Sequence, residues 1–419
     1  MCNNNGHCRK FDAGAMCPSY RITREEKHLT RGRANTLRLA ISGQIEGGLT
    51  SEPVKEALSL CVACKACKRE CPTGVDMARM KFEVAAQNAV QSKLAWRDKL
   101  VAWLPHYAPR LAPFAALLNL RDRVPGAAKL SETVLKISAQ RSLPKWRSAT
   151  FWRQLKTGGP SASVLTTLVP LAQADVVLWV DTFNNAYDPE ILHAALKVLN
   201  AAGRRVAVAE APANETPLCC GRTFLASGLV DQARSEVNRV LDALDGPIQR
   251  GVPVLGLEPS CILTLRDESL ALGLGEPAEA LAKLAMTFEE YLAREYQSGT
   301  LTLPLKAITR QRALLHGHCH QKAHDAVRPI ELVLGLIPGL EVELIQSSCC
   351  GMAGSFGYEA EHYEASIAMA ELALLPKVRE ASDAGTVIIA DGTSCRHQIH
   401  DGASTHALHV AQVLAEALA

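Results

Sequence analysis

The sequence predicts an α/β protein with a helical N-terminal domain: a helical, cysteine-bearing head followed by two repeated α/β lobes. Three observations carry this reading. The 14 cysteines of the 419-residue chain form two blocks, seven before residue 72 and seven after residue 218. The second block alternates short apolar runs with helical stretches, a rhythm that implies parallel sheets covered by helices. That block also contains an internal repeat.

In the head, Arg21 to Ser42 and Glu52 to Leu60 are candidate helices, and Asp76 to Ser92 is a third whose apolar positions recur at helical spacing. The next stretch carries Pro105, Pro109, Pro113, Pro125, Pro144 and Pro160, and four of the five tryptophans (Trp96, Trp103, Trp146, Trp152). It reads as short helices ending in a Gly158-Gly159-Pro160-Ser161 linker. Then Val176 to Val180, Arg205 to Glu210, Val252 to Glu258, Ala313 to His316, Val342 to Ile345 and Thr386 to Ala390 are predicted strands. Helices are predicted over Pro189 to Asn200 and Phe224 to Leu244. The expected boundaries are a head over 1–92, a basic Pro/Trp-containing helical linker over 93–172, a first lobe over 173–300 and a second over 301–419.

The repeat sits on cysteines. Leu218-Cys219-Cys220-Gly221 recurs as Ser348-Cys349-Cys350-Gly351, and Glu258-Pro259-Ser260-Cys261 as Gly392-Thr393-Ser394-Cys395. Each copy runs strand, helix, strand, Cys-Cys-Gly turn, long helix, and a strand ending in a cysteine.

A composition of 48% hydrophobic and 21% charged residues, with a net charge of +2, excludes a disordered chain, a collagen-like chain and a membrane-spanning bundle. The N-terminus, Met1-Cys2-Asn3-Asn4-Asn5-Gly6-His7-Cys8, has no charged region followed by an apolar stretch, so the expected address is cytoplasmic and reducing. There the thiols read as metal ligands or catalytic groups rather than disulfides. Charge is unevenly spread: residues 92–156 hold thirteen Lys/Arg against three Asp/Glu. This basic segment reads as a strap across the two domains, with a peripheral contact to an anionic membrane surface as the alternative. Its prolines break any 20-residue span. No nucleic-acid recognition motif accompanies the charge.

The strongest motif is Cys61-Val-Ala-Cys64-Lys-Ala-Cys67-Lys-Arg-Glu-Cys71-Pro72. Three thiolates at two-residue spacing can wrap one face of a [4Fe-4S] cluster, while the cysteine before proline serves the partner cluster in two-cluster ferredoxins. Cys17-Pro18 stands upstream to complete the exchange. The expected set is therefore Cys61, Cys64, Cys67 and Cys17, with Cys71 passing to a second cluster that has only Cys2 and Cys8 besides. For that second set a three-iron cluster, a ligand such as His7, or no cluster all stay open. Lys65, Lys68 and Arg69 are expected to place positive charge near the sulfurs and raise the potential.

In the second lobe, Cys319, within His316-Gly317-His318-Cys319-His320, joins Cys349, Cys350 and Cys395 to make a four-thiol site for a further cluster or zinc. The first lobe offers only Cys219, Cys220 and Cys261, an incomplete site or a remnant. Its counterpart of Cys319 falls near Asp181-Thr182.

Taken together these residues resemble the iron-sulfur part of the FAD-linked 2-hydroxy-acid dehydrogenases: the glycolate oxidase iron-sulfur subunit, and more closely the C-terminal half of D-lactate or D-2-hydroxyglutarate dehydrogenases. The resemblance rests on Ala15-Met16-Cys17-Pro18-Ser19-Tyr20, Glu26-Lys27-His28 with Thr30-Arg31-Gly32-Arg33, the Cys61 to Pro72 run, Val180-Asp181-Thr182-Phe183 and Cys219-Cys220-Gly221-Arg222. It extends over the Glu258 and His316 motifs, Cys349-Cys350-Gly351-Met352-Ala353-Gly354-Ser355-Phe356-Gly357, and Ser394-Cys395-Arg396-His397-Gln398. It implies a helical ferredoxin-like [4Fe-4S] domain before two Cys-Cys-Gly lobes, and an electron-transfer role. Substrate would be oxidised on FAD carried by a partner subunit or a missing domain, and electrons would leave to a quinone, cytochrome or other acceptor. No general acid, base or nucleophile is expected on this chain. Three alternatives differ in class: a heterodisulfide-reductase-like catalytic subunit, the iron-sulfur subunit of anaerobic glycerol-3-phosphate dehydrogenase, and a zinc scaffold.

Overall fold

The helix expected over Arg21 to Ser42 is broken into three pieces in the computed structural model, which describes all residues except 1, 12–13, 158–166, 214 and 382–384. A helix over Pro18–Thr23 ends at Arg24 in the left-handed region (φ 60°), a 3₁₀ turn spans Glu26–His28, and a helix runs over Thr30–Ile41. The turn folds back onto Gly32: a Cβ there would lie 1.9 Å from the Glu26 carbonyl oxygen. Ser19 Oγ donates to the carbonyl of His28 at 2.7 Å and pins the loop. The other head helices span Glu52–Ser59, Ala66–Glu70 and Met77–Gln91, the last capped by Asp76 accepting from the Arg79 amide. The middle segment forms the short helices its prolines predict, from Trp96–Ala102 to Phe151–Thr157. The Gly158-Gly159-Pro160-Ser161 linker lies outside the described residues.

Two four-stranded parallel sheets follow. The first contains β1 (Val176–Leu178), β2 (Val206–Val208), β3 (Val254–Gly256) and β4 (Ala285–Thr287), in the order β2-β1-β3-β4. The second contains β5 (Arg312–Leu315), β6 (Glu341–Leu344), β7 (Thr386–Ile389) and β8 (Ala407–Leu408), in the order β6-β5-β7-β8. Neither β4 nor β8 was expected. Each is two or three residues long and gains its hydrogen bonds only by pairing with β3 or β7. The helix predicted over Phe224 to Leu244 is two helices, Arg222–Ala226 and Val230–Gln249. They part at Gly228 (φ 77°), where a Cβ would meet Ala85 O at 2.3 Å, so the break seats the first lobe against the head.

One apolar core crosses both sheets: Leu178, Leu196, Phe288 and Leu292 share it with Leu315, Ile330, Val410 and Leu414. A second core joins the head to the other face of the second sheet, with Leu29, Val54 and Met77 beside Leu314, Ile388 and Ile399. Glu258 ties the sheets at their C-terminal ends. Its Oε1 accepts from Ser260 N and its Oε2 from Thr393 N at 2.8 Å, so one buried carboxylate caps a helix in each lobe.

The basic segment contacts both lobes. Arg97 pairs with Glu361, His106 with Glu236, Arg147 with Glu190, and buried Arg141 donates to Gly357 O and Ser366 Oγ. Among the described residues no helix is long and apolar enough to cross a membrane.

Candidate iron-sulfur and thiol sites

Strand order decides where the cysteines meet. In each sheet the chain leaves the first strand toward one neighbour and returns to the other side, so a crevice opens at the C-terminal ends of β1/β3 and of β5/β7. Cys319 follows β5, Cys349-Cys350 follow β6, and Cys395 follows β7. Cys261 and Cys395 are not at strand ends as expected. They sit in the first turns of the helices Pro259–Arg266 and Thr393–Ala403.

In the second lobe all four expected thiols are buried and electrostatically linked in a chain. Cys319 interacts with Cys349, Cys349 with Cys350, and Cys350 with Cys395. The interaction with Cys349 holds the Cys319 thiol below the ordinary range and those with Cys349 and Cys395 do the same for Cys350, while Cys349 and Cys395 are raised in exchange, so two of the four sulfurs favour the thiolate. Lys322 closes the site, donating to Ser347 O at 2.6 Å and Ser348 O at 3.0 Å. Burial lowers its pKa, opposed by the four thiols. In the first lobe Cys219, Cys220 and Cys261 are linked in the same way beside Asp181, which burial and Glu258 raise to about 7.

The glycine of each Cys-Cys-Gly turn has positive φ, 79° at Gly221 and 83° at Gly351. Its bare side faces the following helix rather than a ligand: a Cβ would lie 3.0 Å from Ala233 O in the first lobe and 2.1 Å from Ser366 O in the second. The amides of Gly221 and Gly351 each reach back to the sulfur of Cys219 or Cys349 at 3.4 Å.

In the head, Cys17, Cys61, Cys64 and Cys67 line one cavity with Thr30, Arg33, Lys65 and Met77. All four thiols are buried. The residues fit a cluster by three tests. Thr30 N donates to Cys17 Sγ at 3.2 Å and Met77 N to Cys67 Sγ at 3.4 Å, the amide-to-sulfur bonds that tune such centres. Cys17, Ala63 and Lys65, which line the cavity, adopt left-handed backbone conformations. Burial, the largest effect, pushes Cys17, Cys64 and Cys67 above the ordinary thiol range, Cys67 to about 12. Burial alone thus disfavours thiolates here, and a bound metal reverses that preference.

Cys71 stands outside that lining. It is half-buried and 3.2 Å from Thr73 Oγ1. Burial works to raise its pKa, but bonds from Thr73 and the amides of residues 73–75 outweigh it and lower the thiol. Cys2 and Cys8 also lie outside that lining; both act electrostatically on Arg31, and burial raises the Cys8 thiol to about 11.

Lys65, Lys68 and Arg69, expected to place positive charge near the sulfurs, are each ion-paired, and Lys65 lines the cavity. Lys65 pairs with Asp267 at 2.6 Å and Glu268 at 2.8 Å, Lys68 with Asp267 at 2.6 Å, and Arg69 with Asp325. The cation that lines the cavity without a carboxylate partner of this kind is Arg33, 3% exposed and fixed by Ala57 O and Ser19 Oγ. Lys81, half-buried, donates to Cys61 O. Sequence pattern marked Arg33 only as part of a motif and Lys81 not at all, since helical spacing does not reveal which polar side chain is turned inward.

The head and second-lobe cysteine sites adjoin. Besides burial, a charge on Cys319 raises the Cys64 thiol, and His320 Nε2 lies 3.2 Å from Ala63 O in the cysteine loop. A separate cavity between head and second lobe is lined by Arg69, Glu70, Lys322, Arg328 and Ser347.

Residues 1–75 match the 4Fe-4S dicluster domain family. The chain is 27% identical over 464 residues to the D-2-hydroxyglutarate dehydrogenase of Escherichia coli (strain K12), covering 99% of this chain and 43% of that protein. It is 28% identical over 310 residues to a subunit of the anaerobic glycerol-3-phosphate dehydrogenase of the same strain, 73% of each chain. It is 24% identical over 425 residues to the probable glycolate oxidase iron-sulfur subunit of Bacillus subtilis (strain 168), 96% of this chain and 91% of that one. The chain thus spans less than half the length of the D-2-hydroxyglutarate dehydrogenases it matches. These matches bear out the resemblance drawn from the motifs, and with it the iron-sulfur character of the chain.

Proposed function

We propose that this chain, a relative of the iron-sulfur portions of FAD-linked 2-hydroxy-acid dehydrogenases, is their electron-transfer component: it takes electrons from a flavin carried elsewhere and passes them to a quinone, cytochrome or other acceptor. One observation carries the reading. Four buried thiols surround the head cavity, and Cys64 at its wall is an electrostatic neighbour of Cys319 in the four-thiol site. Two adjoining thiol sites suit electron passage.

In this reading Cys17, Cys61, Cys64 and Cys67 hold a [4Fe-4S] cluster, which supplies a one-electron couple when bound. Cys71 is left for a second cluster with Cys2 and Cys8. Cys319, Cys349, Cys350 and Cys395 hold a further cluster or zinc, and the two Cys-Cys-Gly lobes are copies of one unit. Arg33 offsets the negative charge of the thiolates, and the Thr30 and Met77 amides hold two sulfurs in register. The Arg69/Arg328 cavity brings a small acceptor up to Lys322 and Ser347, which back the four-thiol site.

Anaerobic purification with iron, acid-labile sulfide and zinc counts, followed by low-temperature EPR, tests this. A reducible cluster signal with matching iron and sulfide is expected. Zinc with no sulfide would leave a structural scaffold as the answer.

A further inference from the structure

Three histidines stand in the turn after β5, and their ring nitrogens have different fates. His318 Nδ1 accepts the amide of His320 at 3.1 Å, capping the helix Cys319–Ala323. His320 Nε2 faces Ala63 O and Arg222, away from the four thiols. His316 is 1% exposed; its Nδ1 lies 2.9 Å from Ser347 Oγ, and its Nε2 is buried without any hydrogen-bond partner. A ring nitrogen of His316 and the sulfurs of Cys350 and Cys395 all lie within 4.8 Å of one another. An unpaired nitrogen in such a place is costly unless something else occupies its lone pair.

We propose that His316 Nε2 is a ligand of the metal centre in the second lobe, which therefore has a mixed nitrogen and sulfur donor set rather than sulfur alone. The proposal rests on the reading that this lobe holds a metal. Ser347 orients the ring. Lys322 Nζ donates to Ser347 Oγ at 3.1 Å, and the hydroxyl hydrogen has its own acceptor in Ile345 O at 3.5 Å. In the tautomer where His316 Nδ1–H donates to Ser347 Oγ, the ring lone pair falls on Nε2, the arrangement by which outer groups fix metal-bound imidazoles.

The first lobe lacks this donor, for a reason visible in the helix caps. Asp181 and His318 cap the helices that follow β1 and β5, so Thr182 takes the place of Cys319 and Trp179 that of His316. Trp179 is 1% exposed and packs in the core that holds Cys219, Cys220 and Cys261, with its Nε1 unpartnered. An indole N–H has no lone pair to give a metal. The first lobe thus lacks both an imidazole and a thiol at these places, and the asymmetry assigns His316 to a working site on one side only.

The experiment uses the full chain, purified anaerobically after growth with ¹⁵N-histidine. For a paramagnetic centre, pulsed EPR should show a strong ¹⁵N coupling that disappears in His316→Ala and persists in His318→Ala and His320→Ala. For an EPR-silent zinc centre, zinc-edge X-ray absorption should show imidazole scattering that His316→Ala removes. His316→Cys, which restores a soft donor, should retain metal against a chelator at least tenfold better than His316→Ala. A sulfur-only shell in the unmodified protein, or a strong coupling that survives His316→Ala, would overturn the proposal. If Cys349→Ser and Cys395→Ser leave the metal content unchanged, the second lobe holds no metal, and the functional reading fails with it.

Discussion

Lys65 Nζ lies 2.6 Å from Asp267 Oδ2, both side chains almost fully buried, and this pair joins the cysteine loop of the head to the first lobe across 202 residues of sequence. Asp267 also receives Lys68 and Arg79, and Lys65 also reaches Glu268, so the lysines beside the cysteines are tied to two buried carboxylates. The positive field at the sulfurs is therefore set by Arg33 and by how fully Asp267 and Glu268 screen the loop.

Removing that screen should be visible twice. Asp267→Asn leaves Lys65 without half of its partners and should destabilise the protein by about 3–5 kcal/mol, as loss of one member of a buried pair does. The same change should raise the midpoint potential of the head cluster. Chemical denaturation and an EPR-monitored redox titration read the two effects separately.

Acid should undo the same network. Burial pushes the Asp267 carboxyl up, but Lys65 and Lys68 outweigh it and hold the group well below the usual carboxylate range. A lowered folded-state pKa means the stabilisation is complete above the unfolded value of about 3.9 and declines as pH falls below it. Denaturation midpoints at pH 7, 5 and 3 should therefore fall mainly between the last two, and Asp267→Asn should flatten that fall.

Cys17 and Cys71 make opposite predictions. Cys17→Ser should lower iron by about four atoms per chain and abolish the head signal, because Cys17 lines the cavity with Cys61, Cys64 and Cys67. Cys71→Ser should leave that signal in place. Paired iron and sulfide counts on the two variants decide it.

Glu258 caps helices in both lobes with one carboxylate. Glu258→Ala should cost about 1–3 kcal/mol, leaving partly buried amides on both sides unsatisfied. The fluorescence of buried Trp179, whose amide donates to Leu255 O at 2.7 Å just ahead of this junction, offers a local readout alongside the global denaturation curve.

Gly228→Ala should loosen the head from the first lobe. Its φ of 77° and the 2.3 Å approach to Ala85 O leave no room for a methyl group, and a loss of about 1–3 kcal/mol is expected in thermal unfolding.

The cysteine groupings, the strand-helix alternation and six of the eight strands were legible in the chain alone, because they are written in spacing and apolar periodicity, which act over a few residues. The four-thiol set was legible for the same reason: the repeat put Cys319, Cys349, Cys350 and Cys395 after successive strands of one unit. Two features waited for the folded molecule: Asp267 pairs with Lys65, and His316 keeps an unpaired nitrogen near sulfur. Each depends on which side chains from distant segments are buried together, and burial fixes whether a charge is screened or a lone pair is left over. Spacing along the chain carries no record of that.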